Sequence, residues 1–270
     1  MAIEFSKIHG TGNDFIVIDE LGKEIVGNKA GFAKRFCDRH KGVGADGVLF
    51  LQTSKKADFK MRIFNSDGSE AENCINGIRC ATLFKFLKGK GKSGKYLVES
   101  KAGINELRVI EAKGDKALLE LNFIGKAEFV KEDKVEVDGS KMDYSFVNVG
   151  NPHAVFFVKE DVSGFDVEGI GHKIEYHRQF APARVNAEFV NVKSPVKVVM
   201  RVHERGACET QACGSGSIAV VVAGIKAGLL KENGWVEVKQ PGGSLNIRIS
   251  GKNVMLRGEA EKAFEGVADG

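Results

Sequence analysis

The stretches EAENCINGIR (70–79) and CETQACGSGS (208–217) share one spelling. Each has Glu, three residues, Cys, one residue, a small polar residue, then Gly: Glu70, Cys74, Asn76 and Gly77 in the first, Glu209, Cys213, Ser215 and Gly216 in the second. The copies are 139 residues apart, and other landmarks keep nearly the same shift. Gly12-Asn13 leads into the apolar run FIVID, and Gly150-Asn151 leads into HAVFFV. Asp46 precedes GVLFL, and Asn186 precedes AEFVNV. MRIFN ends at Asn65, and VMRVHE ends at Glu204. Four landmarks in one order and near-constant register imply an internal duplication. Its period is far longer than the roughly 20–50 residues of a solenoid unit, so it predicts two similar domains.

The rest of the chain fits that reading. At 270 residues and 43% hydrophobic, each half has enough apolar material for its own core. Short β-branched or aromatic runs predict strands at FIVID, GVLFLQ, FKMRIF, KYLVES, YSFVNV, AVFFV, EFVNV, VKVVMRV, WVEVKQ and LNIRIS. Helical patterns are fewer: NKAGFAKRFCDRH (28–40), NGIRCATLFKFLK (76–88) and its equivalent GSIAVVVAGIKAGLL (216–230). The expected class is α+β: two pseudo-symmetric domains, each a mixed or antiparallel sheet wrapped around a central helix, with the site in a cleft between them. The halves are drawn at 1–116 and 117–260, with about 261–270 a candidate to return to the first.

Charge and cysteine usage exclude several classes. The net charge of +4 is modest. The dense lysine run KFLKGKGKSGK (85–95) lacks aromatic interleaving and reads as a solvated turn, not a nucleic-acid arm. The start, MAIEFSKIHG, has no long apolar region of a signal peptide. The longest apolar run is broken by Lys226 and is too short to span a bilayer. Five cysteines at irregular spacing suit a reducing cytosol better than a disulfide framework. GKGKSGKY (89–96) approaches a phosphate loop but ends in Tyr96, with a strand following where a helix is needed; GVGADG (42–47) is only a loop signal.

Cys74 and Cys213 each stand directly before a helical pattern. Unpaired amides at a helix N-terminus favour a thiolate and can cradle a carboxylate. If the halves face each other, two sulfurs flank one cleft. One could remove a proton from a carbon and the other return one to its opposite face, the pair titrating as a unit. A positioned acid or base contributes roughly 10²–10⁴ in rate, so donors to the substrate carboxylate must supply the rest. Either cysteine could instead be a small buried hydrophobe. Cys37 and Cys80 read as core and Cys208 as incidental. A zinc set from Cys74, Cys80, His203, Cys208 and Cys213 is not assigned, since these residues do not fall into two pairs at zinc-site spacing.

HGTGNDF (9–15), GVGADGVLF (42–50), RIFNSDGSEAENCINGIRC (62–80), VGNPHAVFFV (149–158), PARVNAEFV (182–190) and ERGACETQACGSGS (204–217) together resemble the diaminopimelate epimerase family. The resemblance implies an isomerase, cytoplasmic, homodimeric and without cofactor or metal. It would interconvert LL- and meso-2,6-diaminopimelate on the route to lysine and peptidoglycan. It implies Cys74 and Cys213 as the acid–base pair, Cys213 taking the proton from the LL isomer. Asn13, Asn65, Asn151 and Asn186 match substrate-binding asparagines. Glu204 and Arg205 match the pair holding the distal end, and Ile75, Asn76, Gly214 and Ser215 the reacting-carboxylate cradle. His153 and Glu204 are implied to tune the cysteines. A distal carboxylate suits the arginine fork and a distal ammonium the glutamate. Taken singly, an Asn beside Gly also reads as a turn residue, Glu204–Arg205 as a surface pair and His153 as a strand residue. Departures from the family pattern are Ile75, His203, Cys208, Glu188 and Gly47. Two rival functions are a related proline or hydroxyproline racemase, which Glu204–Arg205 argues against, and a thiol redox protein.

Overall fold

A computed structural model describes residues 2–89 and 94–269. Residues 90–93 of the lysine run and of the loop-like GKGKSGKY lie outside the described residues. The chain divides into two units, Met1–Ile124 with Arg257–Gly270, and Gly125–Leu256.

In the first unit, β1 (Ala2–Gly10) turns through Thr11 and Gly12 into β2 (Asn13–Glu20). Gly12 has φ +82° and Gly150, its equivalent, φ +85°. Both turns need the left-handed region that glycine enters without a Cβ clash. Helix α1 (Lys29–Phe36) follows, then β3 (Gly47–Gln52), β4 (Phe59–Asn65), the two-residue β5 (Glu70–Ala71), helix α2 (Ile75–Lys88), β6 (Lys95–Ser100), β7 (Gly103–Lys113) and β8 (Lys116–Phe123). β1 and β2 pair antiparallel, β2 and β3 parallel, β3 and β4 antiparallel. β4 then pairs antiparallel with β5 and parallel with β6, and β6, β7 and β8 continue antiparallel. Strand β8, which the expected boundary at 116/117 would divide, belongs whole to this unit.

The second unit begins with β9 (Glu128–Val137), β10 (Ser140–Asn148) and β11 (Pro152–Phe157). Helix α3 (Val167–Glu175), β12 (Asn186–Ser194), β13 (Lys197–Glu204) and β14 (Cys208–Thr210) come next, then helix α4 (Gly214–Lys226), β15 (Trp235–Gln240) and β16 (Gly243–Ser250). Its pairings run in the same order: β10 with β11 antiparallel, β11 with β12 parallel, β12 with β13 antiparallel, β13 with β14 antiparallel and with β15 parallel, β15 with β16 antiparallel. Strand β17 (Asn253–Asp269) crosses the division; its residues Glu261–Asp269 pair with β1.

Each unit has an α+β build in which the sheet curls round one helix. α2 touches β1 to β4 and β6 to β8, and α4 touches β9 to β12 and β16. Ile78 and Leu83 of α2, and Ile218 and Val221 of α4, have no exposed surface. Complete burial of such a side chain is worth about 1.5–3 kcal/mol, which fixes where each helix N-terminus points. α1 and α3 pack elsewhere, α1 beside β4 and α3 against β12, β13 and β14. Phe32 and Phe36 of α1 join a core with Ile16, Ile18 and Phe50, and Val167 and Ile174 of α3 join Phe156 and Phe189.

Candidate active site

Both cysteines are helix N-caps. Cys74 has extended backbone (φ −151°, ψ 109°) and its Sγ accepts from Gly77 N at 3.3 Å. Cys213 does the same (φ −119°, ψ 113°), its Sγ accepting from Gly216 N at 3.3 Å. An N-cap acceptor satisfies one of the helix's orphan donors. The thiols are therefore held by the same geometry in the two units. Helix α2 starts at Ile75 and α4 at Gly214, so the residues expected to cradle a carboxylate occupy the two first turns.

The glutamate of the repeated phrase has a structural task. Arg62 Nε donates to Glu70 Oε1 at 2.7 Å, and Arg201 Nε donates to Glu209 Oε1 at 2.6 Å. Each pair ties a short strand, β5 or β14, back to the strand before it.

In the first unit the Cys74 thiol lies 3.9 Å from Asn13 Oδ1, which also accepts from Asn76 Nδ2 at 3.2 Å. Asn13 Nδ2 donates to Asp46 Oδ2 at 2.6 Å. Asp46 in turn shares Arg39 with Asp14, and Lys7 reaches Asp14 as well. Burial opposes ionisation of Asp14, yet the hydrogen bonds from Arg39 and Lys7 outweigh it and bring its carboxyl down to about 2. Fully buried Arg79 donates to Thr11 Oγ1 and Asn76 Oδ1, both at 2.9 Å. Asn65, opposite Gly47 at the end of β4, donates to Ser69 Oγ at 3.0 Å. Since Gly47 also faces Phe15, Asn65 lies at the sheet end that carries Asn13 and Asp46.

In the second unit, Ser215 Oγ stands 3.5 Å from Cys213 Sγ, and Cys213 N donates to Gln240 Oε1 at 2.8 Å. Burial raises the Glu204 carboxyl against hydrogen bonds from Thr210 and from the Cys213 thiol. His153 Nδ1 lies 2.6 Å from Glu188 Oε1, and its Nε2 lies 3.0 Å from Asn151 Oδ1. Asn186 Nδ2 donates to Pro152 O, and its Oδ1 accepts from Arg205 N, each at 2.9 Å. The exposed Arg205 guanidinium donates to Ala183 O at 2.7 Å. The structure thus gathers Asn151, His153, Asn186, Glu204 and Arg205 at one end of β11, β12 and β13.

One expectation is corrected. A helix N-terminus was expected to favour the thiolate, but the Cys213 thiol is raised well above its ordinary value. Burial is the main cause, and the negative charges of Glu204 and Glu188 add to it. The amide of Gly216 and the hydroxyl of Ser215 oppose the rise without cancelling it. All five cysteines are free thiols. Burial also pushes Cys37 up to about 12, in keeping with its core reading. No local sequence signal marks Asp46 as a partner of Asn13, Thr210 as a partner of Glu204, or Gln240 and Glu188 as neighbours of Cys213. The shared shift of Arg62 and Arg201 was a usable signal for the two ion pairs.

Sequence comparison adds identity to this geometry. The family profile described as diaminopimelate epimerase matches residues 5–130 and 145–263. The chain is 44% identical to the diaminopimelate epimerase of Carboxydothermus hydrogenoformans, over 98% of each chain. It is 41% identical to that of Acetivibrio thermocellus, over 99% of each. Among solved structures, a PhzF-family phenazine biosynthesis protein of Bacillus anthracis superposes with a TM-score of 0.76 at 15% identity, covering 100% of this chain and 99% of its own. A hydroxyproline epimerase of Agrobacterium vitis, with trans-4-hydroxy-L-proline bound, gives 0.70 at 14%, covering 99% and 92%. These two likenesses show the fold alone. The paired cysteine caps stand within a profile match that spans both units, and the chain belongs to the diaminopimelate epimerase family.

Proposed function

We propose that this chain interconverts LL- and meso-2,6-diaminopimelate by two-base proton transfer between Cys213 and Cys74, a step towards lysine and peptidoglycan. The observation that carries the proposal is the matched pair of cysteine N-caps, each on the buried helix of its unit. The identical order of strand pairings supports a duplicated origin.

In the LL direction Cys213 acts as the base, tuned by Glu204, whose raised carboxyl accepts a hydrogen bond from its thiol. The thiolate removes the α-hydrogen, and Cys74 delivers its own proton to the opposite face. First-turn amides at Ile75, Asn76, Gly214 and Ser215 stabilise the charge that builds on the carboxylate as the C–H bond breaks. Asn13, Asn65, Asn151 and Asn186 hold the substrate, and Glu204 and Arg205 its distal end. His153, fixed by Glu188 and Asn151, adds to the field around Glu204. The amides stabilise the electron pair left on the substrate and no oxidation state changes, so the proposal includes no cofactor. A cytoplasmic homodimer completes the reading.

The test is epimerisation of LL-diaminopimelate in deuterated water under reductant, with trans-4-hydroxy-L-proline as a second substrate. The expected result is meso product carrying deuterium at the inverted carbon and no turnover of the proline. Turnover of the proline alone would move the chain to the racemase reading. Activity confined to a disulfide form would favour a redox protein.

A further inference from the structure

We propose that His172, Glu175 and His203 form a binding site for one divalent transition-metal ion, best suited to Zn²⁺, on the face of β13 that meets α3. One ring nitrogen of each histidine and one carboxylate oxygen of Glu175 lie within 4.8 Å of one another. Donors about 2.0–2.2 Å from a tetrahedral zinc stand roughly 3.3–3.6 Å apart. The cluster must therefore contract by about 1 Å around such an ion. Exposed His172 supplies that freedom, since Glu175 and His203 are buried.

Three features set this group apart from an ordinary surface cluster. First, α3 presses on β13 because position 171 is glycine: a Cβ there would stand 2.3 Å from His203 Cβ. His172 and Glu175 are three apart on that helix, which places them on adjoining parts of one face. Second, His203 has no exposed surface, yet among the described residues its Nδ1 has no hydrogen-bond partner, Glu168 Oε2 being 4.0 Å away. An unpaired buried acceptor is costly, and a metal-bound rearrangement of the ring removes that cost. Third, Glu175 is already aimed. Its Oε2 lies 2.9 Å from His203 Nε2, while Oε1 accepts from Gly206 N at 3.0 Å and Arg184 Nη1 at 3.2 Å. Such outer bonds orient a carboxylate towards an ion.

The donor set selects the metal class. Two imidazoles and one carboxylate suit zinc and its transition-metal neighbours, whereas calcium and magnesium prefer all-oxygen sites. Water fills the fourth position. The imidazoles bind in their neutral form, so any proton on a ligating nitrogen is released to solvent as the metal enters. His203 and Glu204 are successive residues of a strand and point to opposite faces. The metal therefore lies on the other side of β13 from Glu204, and this site is independent of the epimerase reading.

Titration of the reduced full-length chain with Co²⁺ tests the inference, because thiolate ligation has its own charge-transfer absorption. The expected result is one Co²⁺ per chain, displaced by Zn²⁺, with visible ligand-field bands and no thiolate charge transfer. The exposed His172→Ala should weaken binding by at least about tenfold, and Glu175→Gln by a similar factor. Cys208→Ser should bind as the parent does. Equal affinity in parent and His172→Ala would overturn the site. So would a thiolate band that disappears in Cys208→Ser, which would move the metal to Cys208, or no stoichiometric binding at all.

Discussion

Helices α2 and α4 begin with the same cap and stand in different electrostatic company. Around Cys74 the neighbours are amides, Asn13 and Asn76, with the Arg79 guanidinium buried beneath them. Around Cys213 they are carboxylates, Glu204 and Glu188. Backbone geometry is common to the two units, and the difference comes from side chains on neighbouring strands. Duplication copies a scaffold; substitution at a few facing positions then gives the two thiols different neighbours.

The strongest way to break the comparison is to remove each sulfur in turn. Cys74→Ala and Cys213→Ala should each lower epimerisation by about 10³-fold or more, since each removes a positioned acid–base group. Chiral analysis of the product reads the loss, and a single variant retaining a tenth of the parental rate would end the equal partnership. Next in size is Glu204→Gln, which removes the carboxyl that accepts from the Cys213 thiol. A kcat lowered roughly 10²-fold is expected, with an unchanged melting temperature. A rise in KM alone would show that Glu204 only binds substrate.

A third experiment uses acid. Asp14 has its carboxyl held at about 2, against 3.8 ordinarily, where the second unit has Pro152. A depressed carboxyl stabilises above the unfolded value and loses that contribution as pH falls through the folded one. Asp14 should contribute about 2 kcal/mol at neutral pH. The stability gap between parent and Asp14→Asn, followed by denaturant melts, should close between about pH 4 and pH 2. A gap that persists there would mean that the loss comes from packing.

The smallest expected effect concerns the matched ion pairs. Arg201 Nη1 also donates to Val162 O and Phe165 O, each at 2.8 Å, bracing the segment before α3. Arg201→Met should therefore cost about 1 kcal/mol more than Arg62→Met. Equal urea midpoints for the two variants would show that the extra bonds contribute nothing.

Much of this was legible in the chain because the duplication placed landmarks at fixed distances. The caps at Cys74 and Cys213 could be read from a cysteine followed by a long apolar helix. α3 has no clear signature in the chain: VEGIGHKIE is short, and glycines at 169 and 171 mask its period, although Gly171 is what lets it approach β13. β7, β8 and β9 follow one another with charged outward faces and no proline break, so nothing in that stretch marks the edge of a unit. The raised Cys213 thiol is hidden because its main cause is burial, and because Glu188 reaches it from a strand distant in the chain. No local window contains that information.

Strand β17 has a consequence for the order in which the molecule is made. A ribosome delivers β1 long before its antiparallel partner, Glu261–Asp269. The second unit, Gly125–Leu256, is one uninterrupted stretch and can be finished while the first still lacks that strand. The unit whose synthesis starts earlier is therefore completed after the other, and its β1 edge stays open to wrong partners until Glu261–Asp269 emerges.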